Sequence, residues 1–390
     1  QAWLVEVNDY YDQHWAWGYG SIMHMRDMMT ADMARPQSAY NWYSSLAQNQ
    51  GMGKQYALPN YIYSYYQNGV KAANSLIAAL KVATTLTVEQ QFYLSMAYAF
   101  RALNYLEMAQ MYEYLPTEGT PSHEFGGFDV TGLTIPIVRE DTDLKEALPR
   151  ATREEMVEFI QNDLAQAESH IADQRRASKM APNLFCVYGL YARLYMWIGD
   201  YEKAALYAGK VVEQSGLEPL LGQDLINPTK AFNDMSAGSW MWGIAPTKYD
   251  RTVVSALLNW GGWMCNESTY GYASMVPLMI NPDLYAKMES NDMRRAAVES
   301  RIESVYPAIS KYVELYLRNN RAIVSKTFAP PVEISPTSGE IIASRTKITT
   351  TSVPARSTDT PAVRKESYKS YSNFAIYSRL AILSLVVLSP

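Results

Sequence analysis

The sequence predicts a mostly α-helical protein, in which stacked helix pairs form a scaffold packed against an irregular, loop-rich region with few short strands. Three observations predict this fold. Apolar side chains recur with a period near 3.6 residues over much of the first 216 residues. A helix–turn–helix pattern occupies residues 183–216. Beyond residue 216, Gly, Pro, Trp and Asn become frequent, which is typical of loops laid over a scaffold.

Three amphipathic helices are predicted before residue 172. Residues 61–80 carry one apolar stripe, residues 87–114 a second and residues 153–171 a third. The second and third helices begin with the spacing of a capping box, in which two side chains satisfy backbone N–H groups at the helix start. The capping boxes pair Thr87 with Gln90 and Thr152 with Glu155.

Residues 183–216 predict a helix that ends at Ile198, a turn at Gly199 and Asp200, and a second helix that ends at Gln214. Their spacing matches a tetratricopeptide repeat, a helix pair with a period of about 34 residues. The matching residues are Tyr188, Tyr191, Ala192, Tyr195, Gly199, Tyr201, Ala204 and Ala208. The tyrosines are expected to fill the seam between the two helices. Because one pair cannot bury both of its faces, the other helices should stack on it.

Composition excludes several functions. The formal net charge of −5 at pH 7 opposes a phosphate backbone, so nucleic acid is not an expected partner. The two cysteines, Cys186 and Cys265, form neither a metal signature nor a disulfide framework. Neither a metal nor a cofactor is therefore predicted. The motifs G-x-S-x-G, H-E-x-x-H and C-x-x-C are absent, and we expect no enzyme activity and no catalytic residue.

Several segments, in order, resemble the SusD/RagB family over roughly residues 1–320. A predicted apolar helix at residues 23–33 resembles the family's first helix, and residues 67–77 the next one. The run from Met96 to Tyr105, followed by Met111-Tyr112 and Leu115-Pro116, is similar to the family element A-x-x-R-A-x-x-Y … Y-G-x-x-P, although Glu113 and Tyr114 replace the usual Gly-Asp. Further similar elements are Thr134-Ile135-Pro136, Pro149-Arg150-Ala151-Thr152, Gly199-Asp200-Tyr201 and Asp292-Met293-Arg294.

The resemblance implies a non-catalytic, surface-exposed lipoprotein of the cell outer membrane. Such a protein binds an oligosaccharide, a polysaccharide or another nutrient and delivers it to a TonB-dependent, SusC-like outer-membrane transporter. The membrane would be contacted only through an N-terminal lipid anchor, which we expect upstream of Gln1. The alternative is a tetratricopeptide-type adaptor that binds a peptide or protein partner.

The resemblance also implies one SusD-like domain over residues 1–390. Residues 1–216 would form the helical scaffold, with a binding loop near residues 35–56. Residues 217–325 would form the aromatic-rich loop region. Residues 326–390 would hold a Ser/Thr/Pro-rich segment, with short strands or a mobile excursion, and then the start of a late helix that ends early.

A shallow ligand site made of loops is implied by the same resemblance. Aromatic rings pack on the C–H faces of a sugar, while polar side chains replace the water lost from its hydroxyl groups. Two loop regions carry such groups, near residues 35–56 and 260–272. The expected ligand-binding residues are Tyr40, Asn41, Trp42, Tyr43, Trp260, Trp263, Asn266 and Tyr270. Trp240 and Trp242 alternate like a strand, and at least one of them is expected in the core.

Overall fold

The computed structural model describes the scaffold and several short segments around it. The described residues are 18–30, 33–34, 51–53, 55–115, 124–125, 127–145, 147–171, 179, 181–219, 235–243, 279–289, 291–292, 332–334 and 341–343.

Seven helices and three pairs of short antiparallel strands occur in these ranges, which confirms the mostly α prediction. The helices are α1 (Tyr19–Met28), α2 (Ala57–Lys81), α3 (Val88–Tyr112), α4 (Arg153–His170), α5 (Leu184–Ile198), α6 (Tyr201–Gln214) and α7 (Pro282–Lys287). The paired strands are β1 (Met33–Ala34) with β4 (Met279–Ile280), β2 (Glu124–Phe125) with β3 (Phe128–Asp129), and β5 (Val332–Ile334) with β6 (Ile341–Ala343). None of these seven helices is long and apolar enough to cross a membrane.

The helices α2 to α6 form an antiparallel stack in chain order. Helix α3 packs between α2 and α4, and α5 pairs with α6. Helices α2 and α4 begin at the end of the stack where α3 and α5 finish. There the Tyr112 hydroxyl donates to the Pro59 carbonyl at 2.9 Å, and Arg153 Nη2 donates to the Trp197 carbonyl at 2.7 Å.

Both predicted capping boxes are present. The Thr87 hydroxyl accepts from the Gln90 N–H at 3.2 Å, and the Gln90 side chain accepts from the Thr87 N–H at 2.9 Å. Thr152 and Glu155 make the same two bonds at the start of α4. These short-range signals set the starts of α3 and α4 because they satisfy N–H groups that have no partner inside the helix.

The turn of the repeat-like pair also lies where the sequence predicts it. Gly199 ends α5 in the left-handed region, with φ of 79°, which favours glycine because a Cβ atom is disfavoured there. The Asp200 side chain then accepts from the Lys203 N–H at 3.1 Å and caps α6.

The prediction that Tyr201 fills the helix seam is wrong. Its ring is 66% exposed, because a side chain in the first turn of a helix leans toward the helix N-terminus and projects past the end of the pair. Tyr207, which lies deeper in α6, takes this place. Its ring centroid lies 4.4 Å from that of Tyr191 and 5.6 Å from that of Tyr195.

One buried guanidinium joins α2, α3 and α4. Arg101 of α3 donates twice to the Asp163 carboxylate of α4, at 2.8 Å and 2.7 Å. Its Nη1 also donates to the Asn74 side chain of α2 at 2.7 Å and to Glu140 at 2.6 Å. The planar guanidinium group holds its N–H donors in fixed directions and therefore suits this arrangement. A lysine ammonium group could not make the same set of bonds.

Helices α2 and α3 approach each other closely at Gly69. A Cβ atom there would lie 2.7 Å from Oδ1 of Asn104. The Asn104 side chain is buried and donates to the Phe100 carbonyl at 2.7 Å, so it has little room to move.

We therefore expect Gly69→Ala to destabilise the protein by about 1–3 kcal/mol, the usual cost of overpacking. Gly209→Ala is the matched control, since it also lies in a helix but a Cβ atom there meets nothing within 4 Å. The control should gain about 0.5–1 kcal/mol from helix propensity. Urea unfolding followed by circular dichroism measures both, and equal effects at the two sites would contradict the proposed close approach.

Candidate functional site

The eight expected ligand-binding residues lie outside the described residues, so they stay predictions. The structure does describe the scaffold positions from which both loop regions start and to which they return. These attachment points are the basis for the candidate site.

The strand pair β1–β4 brings the point where the first loop region begins beside the point where the second ends. Met33 lies opposite Ile280, and Ala34 lies opposite Met279, in antiparallel register. The chain leaves β1 at residue 35 and enters β4 from residue 278, so both connections occur at the same end of the pair. Trp42 follows Ala34 by a few residues, and Tyr270 precedes Met279 by a similar distance.

The first loop region returns to the scaffold through Gly51 and Tyr56. Gly51 has a φ of 75°, and a Cβ atom there would lie 3.8 Å from the Tyr56 ring. Met52 packs against the core, while the Tyr56 ring is 47% exposed at the start of α2. The loop is therefore attached at β1 and at the end of the stack where α2 begins.

The second loop region leaves the scaffold near Trp242, which packs against the middle of α3. The Trp242 ring lies 5.8 Å from that of Phe100, and the Gly243 N–H donates to the Lys179 carbonyl at 2.9 Å. Trp240 and Trp242 are both buried, which confirms that at least one is core. The strand-like alternation is not observed, because residues 235–243 form turns and bends.

Helix α1 contacts strand β1 and is itself bonded to the stack. It spans Tyr19–Met28, so it begins and ends earlier than the predicted helix at residues 23–33, because Met33 belongs to β1. Its Tyr19 hydroxyl donates to Oε1 of Glu107 at 2.6 Å, and Arg26 Nη1 donates to Oε2 of the same carboxylate.

A third donor reaches this carboxylate from α5, since Arg193 Nη2 donates to Oε1 of Glu107. Glu107 is completely buried on α3. We call Tyr19, Arg26, Glu107 and Arg193 the Glu107 clamp. It joins α1, α3 and α5 through one carboxylate, and a carboxylate with several charge-assisted bonds is strongly held.

Neighbouring positive charges keep the Glu107 carboxylate of the clamp ionised. Burial alone would raise the pKa of Glu107, but the positive charges of Arg193 and Arg26 outweigh burial and lower this pKa from 4.5 to about 2. Burial and the neighbouring Glu107 charge raise the pKa of the Tyr19 hydroxyl, which therefore stays a neutral donor.

The sequence analysis missed this clamp. Glu107 stands within the run Leu103-Asn104-Tyr105-Leu106-Glu107-Met108-Ala109, whose residues are all buried. A lone acidic residue in an otherwise apolar helix segment is the signal that could have found it, because buried carboxylates require partners. Among the described residues, no group of three or more His, Cys, Asp or Glu side chains is arranged to hold a metal.

Comparisons with known proteins identify the family. A SusD-like family profile, described as starch-binding and associating with the outer membrane, matches residues 4–196. No curated protein sequence matches the chain.

Solved structures share the fold. One is a SusD-like carbohydrate-binding protein from Bacteroides vulgatus, with 18% sequence identity and a TM-score of 0.59 over 75% of this chain and 57% of that one. Another is a SusD superfamily protein from Bacteroides thetaiotaomicron, with 17% identity and a TM-score of 0.54 over 73% of this chain and 58% of that one.

The chain has a tetratricopeptide-like helical scaffold, and it belongs to the SusD/RagB family. This confirms the resemblance carried by the sequence elements. It spans less than two thirds of the length of the two solved structures. Family members are non-catalytic, which agrees with the prediction that the chain is not an enzyme.

Replacing Glu107 should change the acid stability of the protein. Because its pKa is lowered in the folded state, its stabilising contribution is complete above about pH 4.5 and is lost as the pH falls toward 2. Glu107→Gln should therefore lose stability on the order of 3 kcal/mol at pH 7. Its stability should also fall less than that of the wild type between pH 5 and pH 2, as measured by urea unfolding.

The exposed Glu158 on α4 provides the matched control. Glu158→Gln should keep the wild-type pH dependence. Parallel acid profiles for wild type and Glu107→Gln would show that the buried carboxylate does not stabilise the fold through its charge.

Proposed function

We propose that this protein binds a nutrient glycan at the cell surface and delivers it, unmodified, to a TonB-dependent, SusC-like outer-membrane transporter. The observation that carries the proposal is the match of residues 4–196 to a family described as starch-binding and associating with the outer membrane. A fold shared with a carbohydrate-binding protein gives further support.

The expected site lies on the two loop regions that meet at β1–β4. Tyr40, Asn41, Trp42 and Tyr43 fall within the residues that match the family, and the second set, Trp260, Trp263, Asn266 and Tyr270, falls beyond them. Indole and phenol rings offer flat apolar faces to sugar rings, and the asparagine amides can replace water at hydroxyl groups.

A surface lipoprotein is the location that fits this function. The family description supports association with the outer membrane, and an N-terminal lipid anchor would provide it. We further propose that the helical stack faces the transporter, because a rigid helical surface suits docking, while the loop regions face outward toward the ligand.

A protein- or peptide-binding adaptor is the second candidate. The observation that favours it is the exposure of three large apolar side chains on α6, those of Tyr201, Leu206 and Val212. Exposed apolar side chains of a helix are available to contact a partner.

Calorimetric titration with a panel of oligosaccharides, starch fragments included, tests the proposed function. We expect one glycan class to bind, and Trp42→Ala or Trp263→Ala to weaken that binding at least about tenfold, a loss of about 1.4 kcal/mol. The reason is that each substitution removes a ring face on which the sugar packs.

Tyr93→Ala is the matched control, since Tyr93 is an aromatic residue on α3 that is 43% exposed and lies outside both loop regions. It should leave the affinity unchanged. Absence of binding to every glycan, together with binding of peptides that Leu206→Asp abolishes, would favour the adaptor instead.

A further inference from the structure

We infer that the Glu107 clamp positions the strand pair β1–β4, although none of its four residues lies in either strand. The consequence for ligand binding rests on the proposed function. The mechanical part, that the clamp holds β1–β4 in place, does not.

The clamp fixes the direction of α1 as well as its position. Tyr19 stands in the first turn of the helix and Arg26 in the last, and both contact the Glu107 carboxylate. Ile22 and Met25, between them, are completely buried. A helix bonded at both ends and buried between them cannot pivot without breaking a charged bond.

The Gly18 N–H supplies a further attachment, since it donates to the Tyr61 hydroxyl of α2 at 3.1 Å. The Tyr19 ring also lies edge-on to the Tyr66 ring, with centroids 6.4 Å apart. Helix α1 is therefore held by α2, α3 and α5 together.

The connection from α1 to β1 is short. Residues 29–32 separate Met28 from Met33, and the Thr30 hydroxyl turns back to donate to the Asp27 carbonyl at 2.8 Å. A four-residue connection leaves β1 little freedom, so a displacement of α1 would displace β1 as well.

Strand β1 is too short to hold itself in place. Its two residues pair with two residues of β4, and isolated short strand pairs are marginally stable in water. The clamp on α1 therefore determines where β1–β4 forms, and β1–β4 is where both loop regions attach. Tyr19, Arg26, Glu107 and Arg193 thus act as positioning residues for ligand binding.

Hydrogen exchange of the full chain, measured by mass spectrometry, tests this coupling in Arg26→Ala. This variant is chosen because the Arg26 side chain is 31% exposed, so its removal disturbs the core less than removal of Glu107. We expect faster exchange in peptides that contain β1 and β4, and about tenfold weaker binding of the glycan that the wild type binds. Arg26→Lys, which keeps the charge, should restore the wild-type exchange rate.

Asp163→Asn is the matched control. It breaks a buried arginine–carboxylate pair of the same kind between α3 and α4 but leaves α1 untouched. It should lower the unfolding temperature without faster exchange in β1 and β4. If Arg26→Ala does not fold, Tyr19→Phe removes one bond of the clamp and is measured in the same way.

Two results would overturn the inference. The first is unchanged exchange in β1 or β4 of the Arg26 variant, and the second is equal acceleration in Asp163→Asn. If the wild type binds no glycan, the proposed function fails, while the exchange comparison still decides whether the clamp positions β1–β4.

Discussion

Helix α1 takes its place because two guanidinium groups and a phenol converge on one buried carboxylate. Glu107 lies where the packing of α3 excludes water, so its charge is tolerated only while Arg26 and Arg193 face it. A buried charge that loses one partner is costly. A displacement of α1 by one helical turn would leave unpaired charges behind, whereas apolar contacts alone would permit many nearby positions. The polar cluster therefore selects one arrangement of helices.

The central helix of the stack carries two such clusters. Arg101 reaches α2 and α4, and less than two turns further on, Glu107 reaches α1 and α5. Apolar surfaces drive the helices together but are not directional, while bonds between charged groups depend on angle and distance. One helix thus sets the register of four neighbours, two through a positive group and two through a negative one.

Local signals explain why much of the scaffold was predictable. Capping boxes and the Gly199 turn act within a few residues, so Thr87 and Thr152 mark helix starts without knowledge of the fold. The residues that fill the seam between α5 and α6 were harder to predict. The repeat pattern assigns Tyr201 to this interface, but helix geometry directs its side chain outward, and Tyr207 packs there instead. The Glu107 clamp joins residues far apart in sequence, and no spacing rule connects them. The expected ligand residues depend on loop geometry, which residue types do not determine.

The pairing of Ala34 with Met279 has a consequence for how the protein assembles. Contacts within the helical stack join segments that are close in sequence, so they can form early. The pairing of β1 with β4 instead closes a loop of more than half the chain, and the chain loses conformational entropy when that loop closes. During synthesis the stack from α2 to α6 would be complete before Met279 leaves the ribosome. The β1–β4 pair therefore forms last, after a stable frame exists to receive the returning strand.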